Sequence, residues 1–345
     1  MSVTKDPVAR GATFGSERRD PDHSRQRWLS LVERYALVGV FILVMVFFTF
    51  WSKTSKHFLT TADVQNVLGN QAVIGILALA IIIPLTCGEF DFSVGSVAGL
   101  SQVLCAGFMA RLGLPLVVAI AAAIGVGALI GLSNGNTVAR IGVNSLIVTL
   151  GVSTVAVGIV EWYTKGLSII NHISKSLTNL GNGNWLGIPR TIYFLAVVAV
   201  LVYYLLEQTP YGRYLHSIGS NRDAARLVGL RVERLILIAF VLSGALAGLA
   251  GVLLVARNGG ASPQTGTVAD TLQALAAAFL GATAIKPGRF NVPGTMIAIF
   301  FLAFTVTGLS LAGVANWIND VFNGAALFVA VLISTIVGRK RAGIG

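Results

Sequence analysis

Two carboxylates separated by one residue stand between two long apolar runs. Glu89 and Asp91 fall in the stretch GEFDFSVG, which also contains Ser93 and Gly95. A charge at membrane depth is costly and usually functional, whereas a charge at the interface costs little. Two interpretations stay open: Asp91 or Ser93 caps the start of a helix, or the stretch is the turn of a broken helix that lines a cavity.

A basic polar segment lies between the sixth and seventh apolar runs. In it, Ser220 or Asn221 can cap a short helix that Gly229 can end. Arg222 and Arg226 are four residues apart and are predicted to share a face. Three residues give the helix a small apolar side: Ala225, Leu227 and Val228. This punctuation favours a docking surface for a cytoplasmic partner, and the alternative is an interfacial helix that binds anionic lipid headgroups.

Enzyme motifs are missing from the sequence. It contains no GxxxxGK[ST] nucleotide-binding loop and no HExxH metal motif. A GxSxG match at residues 131–135 ends an apolar run, where the strand that precedes a nucleophile elbow is not expected. We therefore predict no catalytic residue, no metal ligand and no bound cofactor, and we expect that this chain is not an enzyme.

Composition places most of the chain in lipid. Of 345 residues, 55% are hydrophobic and 11% are charged, against about 45–50% and about 25% in soluble domains. The charged residues are too few to cover the surface of a soluble protein of this size. The net charge of +11 is interpreted as membrane-orientation charge, and no nucleic-acid partner is predicted.

The elements that must position these residues are membrane helices. Ten segments approach the length of about 20 apolar residues that a spanning helix requires. They fall near residues 33–52, 64–86, 93–111, 115–133, 145–163, 191–207, 234–256, 268–284, 291–311 and 317–337. The predicted fold is an all-α polytopic membrane protein with about ten transmembrane helices.

Topology and domain limits follow from this count. Ten spans place both termini on one side, and the excess of lysine and arginine on that side predicts that it is cytoplasmic. Residues 1–30 are predicted to be a disordered cytoplasmic tail, 31–338 a transmembrane domain with a cytoplasmic loop at about 208–233, and 339–345 a basic cytoplasmic tail. A faint repeat, AGLxxVL at 98–104 and 247–253, is consistent with two duplicated halves.

Several separated motifs together resemble the permease subunits of ribose-type ABC importers. GEFDFSVG is similar to the family's GGIDLSVG, and residues 134–139 are similar to its NGxxVA. The loop at about 208–233, with TPYGR, IGSN and AARLVG, is similar to the family's coupling segment TxxGR…IGxNxxAARxxG. The resemblance implies that residues 31–338 are the permease domain and that this loop is its coupling loop. A later helix with Ser243, Gly244, Ala250, Gly251 and Arg257 is similar to SGxxAxxAG…AR. The resemblance covers residues 60 to 338.

This resemblance implies a transport subunit of the bacterial inner membrane that imports a monosaccharide or related small polyol. Its implied partners are a cytoplasmic ABC ATPase dimer that binds the ATP, a periplasmic sugar-binding protein, a second permease subunit and membrane lipid. The implied coupling residues are Gly219, Asn221, Arg222, Asp223, Ala224, Ala225, Arg226, Leu227 and Gly229. The alternative is a stand-alone secondary transporter or channel driven by an ion gradient, which requires ionisable pairs deep in the spans.

Path-lining residues are predicted from polar side chains in or near the spans. The candidates are Glu89, Asp91, Ser93, Gly95, Asn144 and Gln273. Two turns also depart from the family pattern. Glu89 stands where the family has a small glycine, and residues 283–290, similar to the turn GGTSLxGGxG, carry Lys286, Pro287 and Arg289. We expect these basic residues to face the cytoplasm or to compensate acidic charge.

Overall fold

The computed structural model describes residues 21–315 and 317–341. In these ranges the chain forms thirteen α-helices, two π-helical segments and one small antiparallel sheet. The α-helices are α1 Pro21–Phe50, α2 Thr61–Thr86, α3 Val94–Leu112, α4 Leu116–Asn136, α5 Ser145–Thr164, α6 Lys175–Asn182, α7 Arg190–Tyr203, α8 Pro210–Ser220, α9 Arg222–Leu227, α10 Val232–Asn258, α11 Val268–Gly281, α12 Val292–Leu311 and α13 Trp317–Arg341. π-helical turns Thr137–Ile141 and Tyr204–Gln208 extend α4 and α7, and strands β1 Asn184–Trp185 and β2 Ile188–Pro189 pair.

All ten predicted apolar segments lie on helices. Seven helices in the described range are long and apolar enough to cross a membrane, and α1, α11 and α13 supply shorter apolar stretches. The prediction of an all-α polytopic membrane protein is confirmed. The predicted tails begin and end differently, because residues 21–30 belong to α1 and 339–341 to α13. Residues 1–20 and 342–345 lie outside the described residues.

Helix α10 lies at the centre and packs against α2, α3 and α4. Its contact with α4 is backbone to backbone, because a Cβ atom at Gly127 would lie 2.3 Å from the carbonyl oxygen of Gly244, and one at Gly244 would lie 2.2 Å from that of Gly127. These glycines open the two small-xxx-small patterns GALIG and GALAG. Membrane helices without a hydrophobic driving force between them associate through such close contacts.

The eighth predicted span, residues 268–284, begins at the predicted residue but is shorter than predicted. Helix α11 has 14 residues, about 21 Å at 1.5 Å per residue, which is short of the hydrocarbon thickness of about 30 Å. The non-helical residues before it run along α3, where the Gln102 amide donates to the carbonyl oxygens of Ser262 (2.7 Å) and Thr265 (2.9 Å). Irregular backbone inside a bundle is tolerated where protein groups satisfy its carbonyls. Hydropathy predicted where α11 begins, but it did not predict that Gln102 holds the residues before α11 against α3.

Candidate coupling and translocation site

The predicted short helix of the coupling loop is present as α9. Asn221 is its N-cap, and the Asn221 side chain accepts a hydrogen bond of 2.9 Å from the Ala224 amide. Gly229 follows the helix with φ +85°, a left-handed conformation that glycine adopts at no steric cost. Gly219 and Ser220 end the preceding helix α8. The loop therefore contains two helices, α8 and α9, where the sequence predicted one.

Two faces of α9 differ in exposure. Ala225 is 4% exposed and belongs to the main core, whereas Leu227 is 89% exposed and Val228, just after the helix, is 77% exposed. The sequence placed these three residues on one apolar side, and that grouping is wrong because Ala225 and Leu227, two residues apart, lie on opposite sides of a helix, and Val228 has left the helical conformation. Ala225 therefore anchors α9 to the bundle, and Leu227 and Val228 form an exposed apolar tip at its outer end.

The two arginines of α9 reach different partners. The Nη1 atom of Arg222 donates to Oε1 of Glu89 at 2.9 Å. Arg226 instead pairs with Glu233 in the first turn of α10 (2.8 Å) and with Asp223 on its own helix (3.7 Å). The i,i+4 spacing predicted a shared face, but the long side chains diverge from it. Arg222 thus connects α9 to the acidic residue between α2 and α3, whereas Arg226 pairs with residues near it in the sequence.

The acidic turn, residues 87–93 between α2 and α3, packs directly on the coupling loop. A Cβ atom at Gly219 would lie 2.3 Å from the carbonyl oxygen of Thr86, so the junction of α8 and α9 requires glycine for this approach. A second turn, the basic turn of residues 282–291 between α11 and α12, is joined by an ion pair to the residues directly before α8. There Lys286 Nζ lies 2.5 Å from Oε2 of Glu207, at the end of the π-helical extension of α7.

Asp91 lies in a buried network of hydroxyl groups. It is 2% exposed, and its Oδ1 atom accepts hydrogen bonds from the Ser93 amide (3.1 Å) and hydroxyl (2.6 Å). Its Oδ2 atom accepts from the hydroxyl of Ser243, near the middle of α10, at 2.7 Å. Asn134 on α4 donates to the Ser93 hydroxyl at 3.0 Å. Ser93 itself makes no side-chain cap bond, so the polar residues of the turn mainly join separate helices.

Hydroxyl groups on α5 and α11 hold the rest of the turn. The amides of Phe90 and Phe92 each donate at 3.0 Å, to Ser145 and Thr149 respectively. The Gly95 amide donates to Thr271 Oγ1 at 3.0 Å, and a Cβ atom at Gly95 would lie 2.3 Å from the carbonyl oxygen of Thr267. Sequence reasoning missed most of these partners. Their only signal was a hydroxyl in an otherwise apolar helix, which does not reveal what it contacts.

The six predicted path residues separate into groups. Asp91, Ser93 and Gly95 lie together inside the bundle, while Glu89 turns toward Arg222. Asn144 is the N-cap of α5, where its Oδ1 atom accepts from two amides of the first turn. Gln273 is half-buried on α11. In the part of the chain that the structure describes, no hydrogen bond joins Asn144 or Gln273 to the Asp91 network.

A basic cleft lies beside α8 and α9. Its volume is about 590 Å³, and α8, α9 and the basic turn enclose it. The charged and titratable side chains that line it are Glu207, Arg213, His216, Lys286 and Arg289. Burial, and after it the positive charge of Arg289, lowers the pKa of His216 below its ordinary value. His216 is therefore neutral at pH 7 in a cleft of net positive charge.

Similarity to known proteins extends over most of the chain. The family described as "Branched-chain amino acid transport system / permease component" matches residues 64–331. The ribose import permease protein RbsC of Haemophilus influenzae is 30% identical over 314 residues, which cover 90% of this chain and 95% of that protein.

Relatives named for other sugars also align along nearly their whole length. The L-arabinose ABC transporter permease protein AraH of Azospirillum brasilense is 32% identical over 322 residues, 93% of each chain. The xylose transport system permease protein XylH of Haemophilus influenzae is 29% identical over 367 residues, covering 89% of this chain and 97% of that protein. No solved structure matches this chain.

Proposed function

This chain belongs to the family of permease components of branched-chain amino acid transport systems, and because relatives along most of its length are named for sugars, we propose that it is the membrane subunit of an ATP-driven importer for a monosaccharide or related small polyol. It is a multi-pass protein of the bacterial inner membrane, as the family and the seven apolar helices indicate. The names of its relatives specify ribose, L-arabinose and xylose. Pentoses are therefore the first sugars to test.

Energy reaches this subunit from a separate ATPase. The sequence contains no nucleotide-binding loop, so ATP is bound and hydrolysed by a cytoplasmic ABC ATPase dimer. A periplasmic sugar-binding protein delivers the substrate, and a second permease subunit, identical or homologous, completes the pore. The chain itself acts as a transport subunit and not as an enzyme.

The exposed tip of α9 is the observation that supports docking on the ATPase. Leu227 and Val228 are almost fully exposed on a helix whose inner side is anchored by Ala225. These two adjacent side chains form an apolar patch among polar residues, which is the arrangement found at protein contacts. A short helix that is capped at Asn221 and packed against the bundle moves as a rigid body, so closure of the ATPase dimer shifts it without loss of the displacement.

Replacing the tip tests this proposal. We expect Leu227→Asp to reduce copurification of the ATPase and sugar-stimulated ATP hydrolysis at least tenfold, because the partner then has to bury a charge. Leu186→Asp is the matched control, since Leu186 is 97% exposed in the turn between β1 and β2, on the opposite side of the predicted membrane. It is expected to retain the ATPase.

Each alternative gives a different result in this system. If α9 binds lipid headgroups, Leu227→Asp retains the ATPase. If the chain is a stand-alone secondary transporter or channel, the purified chain in vesicles takes up labelled pentose along an ion gradient without an ATPase. Either result contradicts the proposal.

A further inference from the structure

We propose that Glu89 is the positioning residue through which α9 moves the transmembrane bundle, and that its ion pair with Arg222 is the mechanical link between them. This inference rests on the proposed coupling role of α9. It adds a defined route from the docking helix to the helices that surround Asp91.

Burial makes the pair difficult to break. The side chain of Glu89 is 11% exposed, while that of Arg222 is 37% exposed, and 2.9 Å separates their charged atoms. Among the salt bridges of the described residues, Arg222 is the partner of Glu89. Separating the pair would leave a carboxylate in the bundle without its cation, which is strongly unfavourable. A displacement of α9 therefore carries Glu89 with it.

The residues after Glu89 pass this movement to several helices. Phe90 and Phe92 are bonded through their amides to Ser145 and Thr149 on α5. Asp91 is bonded to Ser243 on α10. The acidic turn therefore has little freedom to absorb a displacement, and a pull at Glu89 reaches α5 and α10 within two residues.

A second ion pair makes the basic turn respond together with the acidic turn. Lys286 is bound to Glu207 just before α8 begins. Between the two turns lies a row of three rings, in which Phe279 is 6.2 Å from Phe90 and 5.3 Å from Phe290. The acidic turn is thus attached to α9 by charge, the basic turn to the residues directly before α8, and the two turns to each other by aromatic packing.

Arg226 supplies an internal comparison for this link. Its bond to Glu233 has the same chemistry as that of Arg222 to Glu89 and a similar length of 2.8 Å. Glu233 is only seven residues away, in the first turn of α10, so this pair stays at the edge of the coupling loop and does not reach the acidic turn. Loss of the Glu233 carboxylate therefore removes an ion pair of α9 without removing the proposed link.

The test uses the complete importer in proteoliposomes: this chain, its ATPase and its sugar-binding protein. Glu89→Gln keeps the shape of the side chain and removes its charge. We expect the ATPase to remain bound and basal ATP hydrolysis to persist, while pentose transported per ATP hydrolysed falls at least fivefold. The control Glu233→Gln is expected to stay within twofold of the wild type. Thermal unfolding of each purified variant shows that it is folded.

Exchange of the charges separates a link from a merely structural contact. Glu89→Arg and Arg222→Glu are each expected to uncouple transport from hydrolysis. The double variant restores the ion pair in the opposite sense and is expected to recover at least half of the wild-type ratio of pentose to ATP. A ratio that is unchanged in Glu89→Gln, or a double variant no better than the worse single variant, overturns the link.

Failure of the proposed function is distinguishable from failure of the link. If the wild-type complex does not form or does not hydrolyse ATP in response to sugar, the importer assignment fails. If the wild type is coupled and Glu89→Gln is equally coupled, the importer assignment stands and the role of Glu89 is refuted.

Discussion

The acidic turn and the coupling loop are both polar segments between apolar helices, but they treat their polar residues in opposite ways. In the turn, Asp91 is buried and receives hydrogen bonds from two hydroxyl groups and an amide. In the loop, charged side chains such as Asp223 lie at the surface, and the apolar side chains of Leu227 and Val228 are exposed beside them. The turn thus buries a charged residue, and the loop exposes two apolar residues.

This difference shows what each segment is built to do. A buried carboxylate that is bonded to three donors fixes the relative positions of the elements that carry them, because each bond is costly to lose in a low dielectric. Exposed apolar side chains on an anchored helix contribute nothing within the monomer and are explained by a partner. The turn is therefore a junction inside the bundle, and the loop carries the contact that we propose outside it.

Removal of the buried carboxylate is expected to have the largest effect. Asp91→Ala leaves the hydroxyls of Ser93 and Ser243 without their acceptor, at about 1–3 kcal/mol for each unpaired group. We expect a clear loss of thermal stability in detergent and loss of pentose uptake. Asp91→Asn retains one acceptor oxygen and is expected to be intermediate in both measurements.

Transport kinetics sharpen this prediction. If Asp91→Asn is destabilised but transports with wild-type kinetics at equal membrane level, Asp91 has only a structural role. If Asp91→Ala is as stable as the wild type, the buried network does not fix the helices, and the contrast between the two segments fails.

Loss of the α9 cap is expected to have a moderate and local effect. Asn221→Ala removes the bond to the Ala224 amide, which costs about 1 kcal/mol of helix stability. Trypsin should then cleave after Arg222 and Arg226 several-fold faster, while the melting temperature of the bundle changes little. Ser220→Ala is the matched control and is expected to be cleaved at the wild-type rate. Equal cleavage of both variants would show that Asn221 is not the effective cap.

The pH dependence of the cleft is expected to be the smallest effect. Because the folded protein holds the pKa of His216 below its unfolded value of 6.5, the protonated form is disfavoured on folding. The contribution of neutral His216 to stability is present above that pH and declines as the pH falls below it. Melting between about pH 7.5 and 5.5 should therefore fall less in His216→Gln than in the wild type. If the melting temperatures of the wild type and His216→Gln fall equally with pH, His216 is not held with a lowered pKa.

Much of the fold could be predicted from the sequence, because hydropathy and helix punctuation are local signals. The ten apolar segments are helical, and Asn221 and Gly229 bracket the predicted short helix. The way in which the residues before α11 are held could not be predicted, since Gln102, which satisfies their carbonyls, is distant in the sequence. The separation of Ala225 from Leu227 also depends on what α9 packs against.

The sequence by itself determined that this chain lies in a membrane, which segments form its apolar helices, and which polar residues stand between them. Only the tertiary structure decided how those residues pair. Glu89 and Arg222 are 133 positions apart, and Asp91 and Ser243 are 152 apart. The physical reason is that hydropathy and capping act between near neighbours, whereas an ion pair or a buried hydrogen bond depends on how distant helices pack.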